Sequence, residues 1–104
     1  MRLIIQRVKS ASVVVNNQHS EKINEGLMCY VGFCSSDSAV DYEWAINKLY
    51  KLKIFQDNKS LIDINGELLI ISQFTLFASV KKGNKPSFSR AANPSLAKKL
   101  YNDF

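Results

Sequence analysis

Glu67-Leu-Leu-Ile-Ile-Ser-Gln-Phe-Thr-Leu76 is the stretch on which the fold turns. Leu68 to Ile71 are large and apolar on both parities, the pattern of a strand covered on both faces. The run breaks at Ser72-Gln73 and resumes at Phe74, which brings hydroxyl and amide groups to the tip of a buried strand. Polar groups so placed need partners, supplied either by the fold or by a substrate. Upstream, Leu27-Met-Cys-Tyr-Val-Gly-Phe33 is a second continuous apolar run of strand length, so two buried strands are expected at the centre of a sheet.

Outward from these strands the chain alternates short elements. Leu3 to Val8 reads as a strand, and Ala11 to Val15, Asn16-Asn17 and Glu21 to Asn24 read as strand, turn and returning strand. Ser38 with Asp41 three residues on is a helix start. Tyr42, Ala45, Leu49 and Leu52 continue it at helical spacing, which predicts a helix over 38–52. Lys53 to Phe55 and Leu61 to Ile64 are expected as short strands, the second entering a tight hairpin turn at Asn65-Gly66. Phe74 to Val80 is expected to continue as strand or extended chain, and Lys81 to Asn93 as a long loop. Asn93 and Pro94 start a last helix with the stripe Leu96, Ala97, Leu100, Tyr101 and Phe104. Neither Gly nor Asn follows that stripe, so the helix has no stop signal.

The 104 residues make one small domain, 1–104, with no repeat or linker. No window approaches the apolar length of a membrane span, and charge arrives too early for a signal peptide. Cys29 and Cys34 fit neither a metal pattern nor a disulfide framework; they read as small core residues in a reducing cytoplasm. The net charge of +5 is unevenly placed. Residues 1 to 67 carry eight basic and eight acidic side chains, whereas residues 68 to 104 carry six basic ones against Asp103 alone. Lys81, Lys82, Lys85, Arg90, Lys98 and Lys99 thus place a positive field beside Ser72 to Thr75, suited to a polyanion such as a nucleic-acid backbone. A solvated face is the plainer reading of such a run.

Gln6-Arg7-Val8, Ala11-Ser-Val-Val-Val15, Gly26-Leu27, Ile54-Phe55, Ser72-Gln-Phe-Thr-Leu76, Lys82-Gly83 and Pro86-Ser-Phe-Ser89 occur in that order. With them the chain resembles, from Met1 to Phe104, the D-aminoacyl-tRNA deacylases, first known as D-tyrosyl-tRNA deacylases. The resemblance implies an α+β fold: a small β-barrel-like sheet domain with two outer helices, working as a homodimer with active sites at the interface. It implies hydrolysis of the ester between a D-amino acid, or glycine, and the terminal adenosine of tRNA, with no metal or organic cofactor. An activated ester needs little beyond a positioned attacking oxygen and donors for the oxyanion. Backbone N–H groups near Phe74 and Thr75 are candidates for the donors.

Thr75 is the candidate nucleophile, with Gln73 and Ser72 beside it. The sole histidine, His19, falls in an expected surface turn and offers Thr75 no base. The family's chemistry suggests instead that the tRNA 2′-hydroxyl assists while Thr75 and Gln73 orient the substrate. Phe74 and Phe88 are candidates to stack on the adenine or on the amino-acid side chain, or to be core. Pro86 and Ser87 join them by resemblance. Arg7 corresponds to a family arginine that braces the chiral-selection loop, and read alone is an edge-strand charge. Lys81, Lys82, Lys85 and Arg90 are the candidates for tRNA phosphates.

The sequence departs from the family in two places. The Asn-x-Gly-Pro-x-Thr motif, whose Gly-cis-Pro peptide excludes L-amino acids in the partner's pocket, has no counterpart, since the only prolines follow Lys85 and Asn93. A Lys-Met pair expected between Phe55 and Leu61 is also missing. Three readings stay open: a deacylase of which this sequence is an incomplete part, a truncated tRNA-binding relative without chiral selection, and a non-enzymatic oligomeric β protein.

Overall fold

The computed structural model describes residues 1–104. Its elements are β1 (Arg2–Val8), β2 (Ala11–Val15), β3 (His19–Ile23), β4 (Gly26–Gly32), α1 (Ala39–Lys51), β5 (Glu67–Ser72) and α2 (Pro94–Asp103), with short 3₁₀ turns at Gln56–Asn58 and Phe74–Phe77. One sheet has the order β1-β4-β5, with β1 antiparallel and β5 parallel to β4, and β2 and β3 form a separate hairpin. The class is α+β as expected, and the strands remain as two open sheets instead of closing into a barrel.

β4 is central because both its neighbours are strands and its odd residues are apolar. Leu27, Cys29 and Val31 are fully buried and Phe33 nearly so. The register places Leu3 and Ile5 on one side of them and Leu68 and Ile70 on the other, on one face. The two helices supply the cover: Tyr42, Ala45 and Leu49 of α1 and Leu100 of α2 are buried. Val31, Phe33, Tyr42, Ala92 and Leu100 form one apolar cluster, and Leu27, Phe55 and Leu61 a second. Phe104 ends α2 inside the first cluster, edge-on to Phe33 at 6.0 Å and to Tyr42 at 5.8 Å. Local chemistry sets the helix starts. The Ser38 N–H donates to Asp41 Oδ2 (2.9 Å) and the Leu96 N–H donates to Asn93 Oδ1 (2.9 Å).

Several segments differ from the sequence reading. Leu68 to Ile71 are covered only in part: Leu69 is buried on one face, and Leu68 and Ile70 on the other are half-buried against the two apolar clusters, while β5 has a strand on one side alone. Its outer edge receives the Tyr101 hydroxyl, which donates to Ile70 O at 2.9 Å. Leu61 to Ile64 form a helical turn instead of a strand. Ser60 starts the turn by donating from N and Oγ to Asp63 Oδ2 at 2.9 and 3.0 Å. Asn65, at φ +51, closes it, with Gly66 N–H donating to Leu61 O and Asn65 N–H to Ile62 O. That pair of bonds is a Schellman ending, so Asn65-Gly66 stops a helical turn instead of turning a hairpin. Lys53 to Phe55 contributes only a single bridge, Phe55 to Lys59. Phe74 to Val80 begins with the 3₁₀ turn in place of a continuing strand. His19 opens β3 instead of sitting in the turn, which is made by Asn16 and Asn17, both at positive φ.

Candidate active site

β5 runs out at Ser72, and the chain is carried one residue further by the Gln73 N–H, which donates to Val31 O at 2.8 Å. It then coils into the 3₁₀ turn Phe74–Phe77. Alternation along β5 sends Ser72 to the helix side of the sheet and Gln73 to the opposite side. The turn lies against Gly32, where a Cβ would stand 3.0 Å from Gln73 O and 3.1 Å from Leu76 Cβ. No side chain larger than hydrogen fits there without moving the turn. The Leu76 N–H donates to Gln73 O and the Ala78 N–H to Thr75 O, while the N–H groups of Phe74 and Thr75 donate to no carbonyl. These are the orphan donors of a helical start, adjacent in sequence.

Around them the candidate side chains fall into two groups. Ser72, Phe74 and Phe88 line a cleft of about 550 Å³ together with Ser89, Asn93, Pro94 and Ala97, within the size range of small-molecule sites. The Phe74 and Phe88 rings meet edge-to-face at 5.2 Å and stay 53% and 39% exposed, so they are wall residues and not core. Gln73 and Thr75 form the second group: Gln73 Nε2 donates to Thr75 Oγ1, outside the lining of the cleft. Phe74 links the two, with its ring in the cleft and its N–H beside Thr75.

The loop that follows is stapled at its base by reciprocal backbone bonds between Ser79 and Ser87, both 2.8 Å. Pro86 and Ser87 lie at that staple, exposed and outside the cleft lining, with Ser87 Oγ bonded to Ser89 Oγ at 3.3 Å. Lys81, Lys82, Lys85 and Arg90 are all exposed and none enters an ion pair. Their charge therefore remains free for an external anion.

Other candidate groups lie elsewhere. Arg7 pairs across β4 with Leu27, in line with Leu68, four residues or roughly 13 Å along the sheet from Ser72, and donates to Ile54 O at 2.7 Å. His19 bonds Glu21 Oε1 at 2.6 Å. Burial pushes the Cys29 thiol up to about 11, which leaves it protonated and inert at neutral pH. Cys34 is half-buried among Met1, Ser36 and Asp37, and so is not the core residue expected. Sequence reasoning missed Asn93 and Ala97 as walls of the cleft. It also missed Arg2, which donates to Leu76 O at 2.7 Å and stacks 4.7 Å from the Phe77 ring centre. Asn93 was legible only as a helix cap. No local signal marks Arg2.

The family model described as D-Tyr-tRNA(Tyr) deacylase matches residues 4–104. The chain belongs to this family. Among its relatives is a D-aminoacyl-tRNA deacylase of Azobacteroides pseudotrichonymphae genomovar. CFP2, 48% identical over 109 residues that cover 100% of this chain and 73% of the relative. A solved structure described as c-Myc DNA Unwinding Element Binding Protein is 35% identical with a TM-score of 0.89, covering 99% of this chain and 72% of its own. Another, described as a probable eukaryotic D-amino acid tRNA deacylase, is 25% identical with a TM-score of 0.81 over 95% of this chain and 61% of its own. The fold of the deacylase family is thus present through β5, the 3₁₀ turn and α2.

Proposed function

We propose that the protein hydrolyses the ester that joins a D-amino acid, or glycine, to the terminal adenosine of tRNA, releasing the free amino acid as a proofreading step. The observation that carries the reading is the pair of unbonded N–H groups at Phe74 and Thr75, held in a deacylase-family chain beside an aromatic cleft. The terminal adenosine enters that cleft and stacks on Phe74 and Phe88, a contact worth about 1–3 kcal/mol per base. Ser72 supplies a hydroxyl to the nucleoside. The ester carbonyl then lies over the turn. Its oxygen takes negative charge as water attacks, and the two N–H groups receive that charge in the tetrahedral state. The attacking water passes a proton to the ribose 2′-oxygen as the 2′-hydroxyl passes its own to the departing 3′-oxygen, so the bond to the 3′-oxygen breaks with both ribose hydroxyls restored and the free amino acid released.

In this scheme Thr75 orients the substrate. Its hydroxyl already accepts from Gln73 and no base adjoins it, so a nucleophilic role lacks the usual activation. Lys81, Lys82, Lys85 and Arg90 hold the phosphates of the acceptor end; Pro86 and Ser87 set the base of their loop. The single domain 1–104 works as a homodimer in the cytoplasm, with Arg7 bracing the chiral-selection loop. The outer edge of β1 is unpaired, and Ile4 and Trp44 near it are 53% and 63% exposed, which supports an association surface there.

Incubation with tRNA charged with D-tyrosine or L-tyrosine tests the reading. Release of D-tyrosine well above spontaneous hydrolysis is expected. Salt-sensitive tRNA binding with no release of either enantiomer overturns the hydrolase in favour of a tRNA-binding relative.

A further inference from the structure

We propose that Arg2 is a positioning residue for this reaction: its guanidinium fixes the Phe74–Phe77 turn and thereby aims the Phe74 and Thr75 N–H groups. The inference rests on the deacylase reading. A 3₁₀ turn of four residues has poor hydrogen-bond geometry and little stability of its own. The bonds at its two ends are Leu76 N–H to Gln73 O, 3.3 Å long, and Ala78 N–H to Thr75 O, 3.0 Å long. Its position must come from outside.

Two contacts supply it. Below, Gly32 lets the turn lie against the sheet. From the side, Arg2, which the register sets directly opposite Gly32, makes two contacts at once: it donates to Leu76 O at 2.7 Å and lays its guanidinium 4.7 Å from the centre of the Phe77 ring. Phe77 is only 5% exposed, so the ring is a fixed platform for the guanidinium. The carbonyls in the last turn of a helix lack internal donors, and a charged donor to one of them makes a bond roughly twice as strong as a neutral one. A planar fork can stack and donate simultaneously, whereas an ammonium cannot do both. The two contacts bind the far end of the turn and leave the near end, with its free N–H groups, open. Arg2 is absent from the lining of the cleft and so acts through the turn without touching the nucleoside.

Arg2→Ala, Arg2→Lys and Gly32→Ala test this. Arg2 is on the surface, so its variants are expected to fold. A displacement of about 1 Å at a reacting centre can cost ~100-fold. For Arg2→Ala we expect kcat for D-tyrosyl-tRNA to fall ~10-fold or more with KM within about twofold of the parent, and faster amide exchange across Phe74 to Ala78 at unchanged Tm. Arg2→Lys should recover part of kcat. Gly32→Ala should reproduce the kcat loss with Arg2 intact, because the added methyl pushes on the same turn. An Arg2→Ala enzyme with unchanged kcat and unchanged exchange overturns the proposal. So does a change confined to KM and its salt dependence, which would make Arg2 a phosphate contact. An inactive parent protein overturns the deacylase reading instead, and exchange across Phe74 to Ala78 then decides alone whether Arg2 clamps the turn.

Discussion

The two roles open to Thr75, orienting the substrate or attacking it, differ by orders of magnitude in their effect on rate, which makes them separable. If it orients substrate through its hydroxyl, Thr75→Val removes one hydrogen bond of about 1 kcal/mol, or roughly a fivefold drop in kcat. If it were the nucleophile, the loss would be ~10³-fold or greater. The Gln73–Thr75 bond and the missing base favour the smaller effect. Single-turnover release of D-tyrosine by Thr75→Val checks it. The polar interruption Ser72 to Thr75 was legible in the sequence because it breaks an apolar run. The division of labour was not, because strand parity alone leaves open where the chain starts to coil. Arg2 was illegible for a different reason: its acceptor, Leu76 O, is 74 residues away, and nothing in Met1-Arg-Leu-Ile-Ile announces that contact.

The five strands and both helices lie where the sequence placed them, while Leu61 to Ile64 and Phe74 to Val80 take a different form. α1 and α2 start where Ser38, Asp41, Asn93 and Pro94 place them. Leu61 to Ile64 looked like a strand because alternation and Asn-Gly suit both a hairpin and a capped helical turn. The Ser60–Asp63 bonds decided between them. β1 has an anchor that no pattern reveals. The Met1 ammonium meets Asp37 Oδ1 at 2.7 Å, with both side chains 6% exposed or less. Burial lowers the pKa of this amine, but the Asp37 hydrogen bond and charge, aided by Cys34, outweigh it and raise the pKa above 8.0. A group with a raised folded pKa stabilises fully below its unfolded value and loses that contribution as pH rises through the folded one. Thermal stability should therefore decline as pH climbs above 8. Asp37→Asn should cost about 3 kcal/mol at neutral pH and flatten the decline, which parallel melting curves will show. An unchanged slope in the variant would remove the ion pair as its cause.

The whole molecule is an open structure with a charged flank. Its radius of gyration is 15.1 Å, against about 13 Å for a compact domain of this length. Only 17 of 104 residues are buried. The sheet face away from the helices carries the row Ile4, Tyr30 and Ile71, apolar surface that a second subunit would cover. The basic excess lies on the side chains that follow β5, beside the turn and the cleft, and binding to tRNA should be governed by it. Each lysine that neutralises a phosphate releases counterion, so its removal lowers the slope of log affinity against log salt by roughly 1. Lys81→Ala, Lys82→Ala and Lys85→Ala should each weaken tRNA binding and flatten that slope. At saturating substrate they should leave kcat and the preference for D-tyrosine unchanged, because an exposed loop stapled only at Ser79 and Ser87 does not reach the ester. Titrations of the parent and the three variants across potassium chloride concentrations measure the slope. A variant that lowers kcat at an unaltered slope would move that lysine from the phosphate backbone to the reacting centre.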